Sequence, residues 1–265
     1  MAAGNTEMAL NRHAAATQRR HNWSRATYTG AAVWTLTFAV IAIGMTIPTA
    51  GRTQPQDQLT VFNGPPLTQY RAFRRMHARN EKFNQEAWVD AWTELNGNTF
   101  TYEITNERGS DYIRTKVLKA ILGHEQELVA KGEAGRAEIC PENYQFEETT
   151  KDGDVKYVTL KPRRKDMLLV NGRMVLNSEG TELLRVEGTL SKNPSFWTSL
   201  VTVVRQFARL DGVRVPVSTE SVAKLKFAGQ AHLDVRYEYA SVNGRPVGLA
   251  SAAPQGIGVY RAGTH

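Results

Sequence analysis

The chain has 265 residues, 41% of them hydrophobic, with 5 Trp, 9 Tyr and 9 Phe, which is enough for a real core and excludes wholesale disorder. Its net charge of +7 is thinly spread: Arg12, Arg19, Arg20 and Arg25 against Glu7 lie in residues 1–50, and the remainder is nearly balanced, so no nucleic-acid partner is expected. The single cysteine, Cys140, excludes an internal disulfide and reads as a half-buried structural thiol.

Residues 1–29 are polar and basic. Residues 30–50 follow without a charge, and Gly30 to Ile47 are mainly apolar. Eighteen residues reach about 27 Å as a helix, the lower limit for a hydrocarbon core of roughly 30 Å. Both a cleaved signal peptide and a single membrane anchor fit. In either case the basic residues stay on the cytoplasmic side and Gly51 onward is exported. Membrane contact through residues 30–47 is therefore expected, with an inner-membrane-anchored, periplasm-facing location, or a periplasmic one if residues 1–50 are removed. Residues 51–68, rich in Pro, Gly, Gln and Thr, read as a linker.

Thr68 can cap a helix from Gln69 to Asn80, with Tyr70, Phe73 and Met76 on one side. The arginines 71, 74 and 75 within it, like the run Lys161 to Lys165, read as solvated charge. A hairpin is expected across Asn96-Gly97, joining Trp88–Leu95 to Thr99–Thr105. After Ser110, a helix over Asp111 to Lys131 follows from the 3.6-residue period of Ile113, Val117, Ala120, Ile121, Leu128 and Val129, closed by Gly132. Residues 133–153 are a polar excursion with a short strand near Tyr144–Phe146.

From Val155 to Val242 the pattern alternates with period two. Strands are expected at Val155–Leu160, at Met167–Val170 and Met174–Leu176 across Asn171-Gly172, and at Glu182–Leu190. Trp197–Leu210 pairs with Val213–Val217 across Asp211-Gly212, and Val222–Phe227 and Ala231–Val242 follow. Leu225 and Phe227, and Leu233, Val235, Tyr237 and Tyr239, mark the dry face. The tail 243–265 is Gly-, Pro- and Ala-rich and reads as flexible.

The fold class that follows is α+β: a strongly curved antiparallel sheet over 69–242, an unclosed half-barrel of about nine to eleven strands. It packs on one or two helices and is preceded by an N-terminal hydrophobic helix. This order, with Leu184-Arg185-Val186-Glu187-Gly188-Thr189-Leu190, Pro194-Ser195-Phe196-Trp197 and Val213-Arg214-Val215-Pro216-Val217, resembles the lipoprotein-sorting and lipoprotein-carrier group, in its uncharacterised exported branch. The resemblance implies an apolar cavity between sheet and helices, but carries no residue-level ligand motif.

Chemistry is scarce. His124-Glu125 is the nearest approach to a zinc-protease motif, but Leu128 stands where the second histidine belongs, so a solvent-facing helix surface is expected there. No catalytic residue, metal site or cofactor is assigned, and no enzyme is expected. The cavity candidates are Trp88, Trp92, Phe100, Tyr102, Leu184, Val186, Trp197, Phe207, Phe227, Tyr237 and Tyr239. An envelope domain binding a lipid, a lipidated protein or another apolar ligand in the concavity is the function that fits. The alternative is an envelope scaffold with a filled core that works by contact with a protein partner.

Overall fold

The computed structural model describes residues 64–248, which carry every element below. The basic segment, the apolar segment and most of the linker lie outside the described residues, as does the tail beyond 248. Among the described residues no helix is long and apolar enough to cross a membrane.

Eleven antiparallel strands make one sheet: β1 (Gln69–Asn80), β2 (Gln85–Asn96), β3 (Thr99–Gly109), β4 (Tyr144–Asp152), β5 (Val155–Pro162), β6 (Val170–Asn177), β7 (Leu183–Leu190), β8 (Thr198–Leu210), β9 (Val213–Leu225), β10 (Gly229–Val242) and β11 (Arg245–Pro246). Their order is β3-β2-β1-β10-β9-β8-β7-β6-β5-β4, with β11 beside β10. β3 and β4 are its two edges and the sheet is unclosed. One helical run, α1 (111–130), joins β3 to the second half. It opens as Asp111–Ile113, widens to a π-turn over Arg114–Leu118 and continues as Lys119–Ala130. The π-turn brings the consecutive residues Val117 and Leu118 both into the core. Gly132 ends the run with φ +68°.

The sheet is strongly bent. Bulges at Arg71/Ala72, Asp90/Ala91, Val175/Leu176 and Gln206/Phe207 supply local kinks that raise the twist.

Three expectations are corrected here. Gln69–Asn80 is strand β1, not a helix: its inner residues are Tyr70, Ala72, Arg74, Met76 and Ala78, a period of two in which two alanines and an arginine hid the pattern. Asn171-Gly172 is no turn, because β6 runs straight through it. Gly172 lies opposite Gly188 on β7, where a Cβ on Gly172 would come within 2.1 Å of the Glu187 carbonyl oxygen. The glycines serve a close approach of two backbones. Finally, Val213–Val217 and Val222–Phe227 are not two strands, since β9 spans Val213–Leu225. Pro216 is tolerated because β10 pairs with β9 only from Ser218 to Leu225.

The linker and tail also reach into the fold. Leu67 is buried, and the Asn243 Oδ1 accepts from the backbone N–H groups of Thr68 and Gln69.

Candidate functional site: the inner face of the sheet

Register assigns each side chain to a face. Met76 on β1 is level with Val89 on β2 and Val235 on β10. Val235 is level with Thr219 on β9, and Thr219 with Arg205 on β8. The row continues through Val186, Met174 and Val158 on β7, β6 and β5. The next row runs Ala78, Leu233, Ser221, Val203, Gly188, Gly172 and Leu160. These rows form an inner face that is apolar over most of its breadth, and its members Met76, Val89, Leu160, Met174 and Leu233 are almost fully buried.

α1 packs on the β1–β3 end of this face. Small residues there (Ala72, Ala78, Ala87, Ala91) let it come close, and it contributes Ile121, Leu122, Leu128 and Val129. It also contributes Glu125, which is 1% exposed. Arg74, equally buried, donates from Nη1 to Glu125 Oε2 at 2.5 Å and from Nη2 to Oε1 at 2.8 Å. The same Nη2 donates to the Tyr70 hydroxyl, which donates in turn to Glu125. The guanidinium lies 4.9 Å from the Tyr237 ring centroid and 5.2 Å from that of Phe100. Burial works against the charge on Arg74, but Glu125, Tyr70 and Tyr237 together outweigh it and hold the pKa well above the ordinary arginine value.

Two expectations fail at this pair. Arg74 is not solvated charge, and His124-Glu125 is not a solvent-facing helix surface. No short-range signal marks either residue, because the partners are far apart in sequence and meet only when the sheet forms.

The predicted cavity residues divide. Phe100, Tyr102, Val186, Tyr237 and Tyr239 lie on the inner face; Tyr239 donates its hydroxyl to the Pro216 carbonyl. Phe207 packs half-buried against the core beside its bulge, and Leu184 sits half-buried at the β7 irregularity. Trp88 and Trp92 are on the other face: they alternate with buried Ala87, Val89 and Ala91, and outside the sheet Trp88 stacks on His77 (4.5 Å) while Trp92 packs at a tilt against Phe73 (5.2 Å). Arg108 and Arg71 cover them from the solvent side at 4.4 and 4.7 Å.

Phe227 is not on the dry face either. β9 ends at Leu225, so Phe227 falls in the turn and is 58% exposed. It packs edge-on against Trp197, which packs in turn on Phe196. The β1–β2 turn with Phe83 lies at the same end of the sheet, tied to the β9–β10 turn by the bond from Lys82 Nζ to the Phe227 carbonyl.

A separate recess of about 460 Å3 lies by β4–β6, lined by Thr150, Lys151, Asp152, Tyr157 and Arg173, and shares no residue with the inner face described above. Among the described residues no cluster of His, Cys, Asp and Glu has the geometry to hold a metal ion.

The connection from α1 to β4 is held in place by Asp166. Burial alone would raise its pKa, but the Leu168 N–H and the guanidinium groups of Arg136 and Arg164 prevail and lower it. Cys140, half-buried on the same connection, has its thiol pushed up to about 12, first by burial and then by a bond with Glu142. A thiol so placed is a poor nucleophile near neutrality.

No protein-family model matches the sequence, and no curated protein sequence matches it. Among solved structures, it is similar to a LolA superfamily protein from Nitrosomonas europaea. The TM-score is 0.33 and the identity 10%, over 68% of this chain and 89% of that one. A DUF1329 family protein from Desulfovibrio piger is also similar, with a TM-score of 0.30 and 8% identity over 65% and 84% of the two chains. What the inner face can bind is set by this chain's own side chains, to which the likenesses add nothing.

Proposed function

We propose that this chain is a non-enzymatic carrier or sensor of the cell envelope. It takes a lipid, the acyl part of a lipidated protein or another apolar ligand onto the inner face of its bent sheet. The charge pattern around residues 30–47 supports export, with the domain held at the inner membrane by that segment or released if residues 1–50 are removed.

One observation carries the ligand reading. The apolar inner face extends over ten strands, whereas α1 packs on β1, β2 and β3. Around the buried centre stands a ring of half-buried apolar residues, including Tyr102, Ile104, Phe146, Met167, Leu190 and Phe207. An acyl chain laid on such a face is held by area, at about 25 cal/mol per Å2, and needs no polar motif.

The second reading, a scaffold acting through protein contact, is favoured by the near-complete burial of Val158, Leu160, Met174 and Leu176. A filled interior fits that role directly. The two are separated by titrating the full-length protein in amphipol with an uncharged pyrene-labelled acyl probe. Saturable binding at one probe per chain is expected. Without saturation, the carrier reading is abandoned for the scaffold.

A further inference from the structure

Four adjacent inner-face groups are poorly partnered. Arg205 and Thr219 face each other across β8 and β9. Ser221 stands two positions along β9, between Val203 and Leu233, and Tyr237 is the next inner residue after Val235 on β10. Thr219 is 0%, Ser221 3% and Tyr237 6% exposed. Among the described residues the Ser221 hydroxyl and the buried Nε of Arg205 have no hydrogen-bond partner. The Thr219 hydroxyl bonds to Tyr237 only in poor geometry, and neither has another partner.

The charges do not balance. Arg205 has no ion pair among the described residues, and the carboxylate that bears on it, Glu125, is already held by both terminal nitrogens of Arg74. Burial lowers the pKa of Arg205, yet a guanidinium stays protonated in a protein. Half-buried Arg205 thus brings a second guanidinium to an inner face whose buried carboxylate Glu125 is already paired, with the hydroxyls of Thr219, Ser221 and Tyr237 around it. Tyr70, Tyr237 and Tyr239 supply no anion, because burial raises all three. Such an arrangement is costly unless something negative completes it.

The inner face beside it is apolar. In the row next to Arg205, Gly188 and Gly172 follow Val203 and carry no side chain. Val186 and Met174, in Arg205's own row, border this bare strip with apolar surface.

We propose that Arg205, Thr219, Ser221 and Tyr237 bind an oxyanion, the carboxylate or phosphate head of an anionic amphiphile whose chain lies along the strip above Gly188 and Gly172. This rests on the acyl-binding reading above and names its ligand class. The guanidinium supplies charge and a planar pair of donors, and the hydroxyls turn their protons to the remaining oxygens. A neutral acyl compound would leave these donors poorly paired.

The test titrates the full-length protein in amphipol calorimetrically with dodecanoate, 1-dodecanol and inorganic phosphate, in the parent and in Arg205→Met. Dodecanoate is expected to bind roughly 10- to 100-fold tighter than dodecanol in the parent. Arg205→Met should abolish that preference, bringing the affinities for dodecanoate and dodecanol together. Thermal unfolding checks that the variant folds, and its midpoint should not fall, because a half-buried charge without an ion pair has been replaced by an apolar side chain of similar length.

Equal affinity for dodecanoate and dodecanol overturns the proposal and leaves the acyl-binding reading standing. So does a preference for dodecanoate that survives Arg205→Met. Binding of phosphate with no binding of either C12 compound places a free oxyanion at the cluster and removes the acyl-binding reading instead. If none of the three binds, both fall.

Discussion

Arg74 and Glu125 meet in the core through two parallel N–H···O bonds, joining strand β1 to the helical run α1. Neither side chain is more than 1% exposed, so each relies on the other, with the Tyr70 hydroxyl beside them, in place of water. Removing one partner strands a charge. Glu125→Leu or Arg74→Met alone is expected to destabilise the protein by about 3–5 kcal/mol, and the double variant by much less than the sum. Urea unfolding of all three variants measures the coupling. Additive losses would show that the pair is not what fastens α1 to β1.

The glycine pair between β6 and β7 has a different sensitivity. At Gly172 or Gly188 an added Cβ meets backbone of the neighbouring strand at 2.1 or 2.4 Å, where nothing flexible can yield. Alanine at either position should cost about 3 kcal/mol. At Gly97, in the β2–β3 turn, nothing lies within 4 Å and only the φ of +56° opposes a side chain, so alanine there should cost about 1 kcal/mol. The ranking is read from chemical denaturation midpoints.

Glu138 makes stability depend on pH. Burial drives its pKa up to about 7, with Arg214 opposing and Glu142 reinforcing the rise. The folded state therefore keeps a proton that the unfolded chain gives up near 4.5. With more protons bound in the folded state, this contribution is fully present below 4.5 and is lost as pH climbs through 7. The difference in melting temperature, Glu138→Gln minus parent, should accordingly grow between those pH values. A flat difference across that range would contradict the assignment.

Asn243 ties the two ends of the domain together. Its Oδ1 accepts from both the N–H and the hydroxyl of Thr68 and from the Gln69 N–H, while its Nδ2 donates to the Pro66 carbonyl. Its φ is +46°, which glycine also adopts readily. Asn243→Gly thus keeps the backbone and removes only the bonds, with an expected cost of about 2 kcal/mol. Hydrogen exchange should quicken at Leu67 to Tyr70 before it does elsewhere on β1.

The sequence displayed the β2–β3 hairpin and most strands of the second half of the sheet, but it hid β1 and the inner face of β2, for a local reason. From β5 to β10 large apolar residues alternate with polar ones, and Asp211-Gly212 sits at a real hairpin turn. On β1 and β2 the inner positions beneath α1 are filled largely by alanine, with Arg74 among them, while the tryptophans stack outside. Size then points to the wrong face. Gly172 was legible as a glycine but not as one that needs Gly188, sixteen residues away in sequence and in contact only through the register of two strands. The poorly partnered hydroxyls of Thr219 and Ser221 resemble the polar members of any alternating strand until parity with Val235 and Leu233 turns them inward.

The central claim is that the inner face holds an apolar ligand, and the most direct measurement is mass spectrometry of an organic extract of the full-length protein after exhaustive exchange into amphipol. The predicted result is an acyl lipid retained at close to one molecule per chain in the parent, and depleted in Val186→Asp, which places a charge on the inner face. Extracts equally free of stoichiometric lipid from both proteins would contradict the claim.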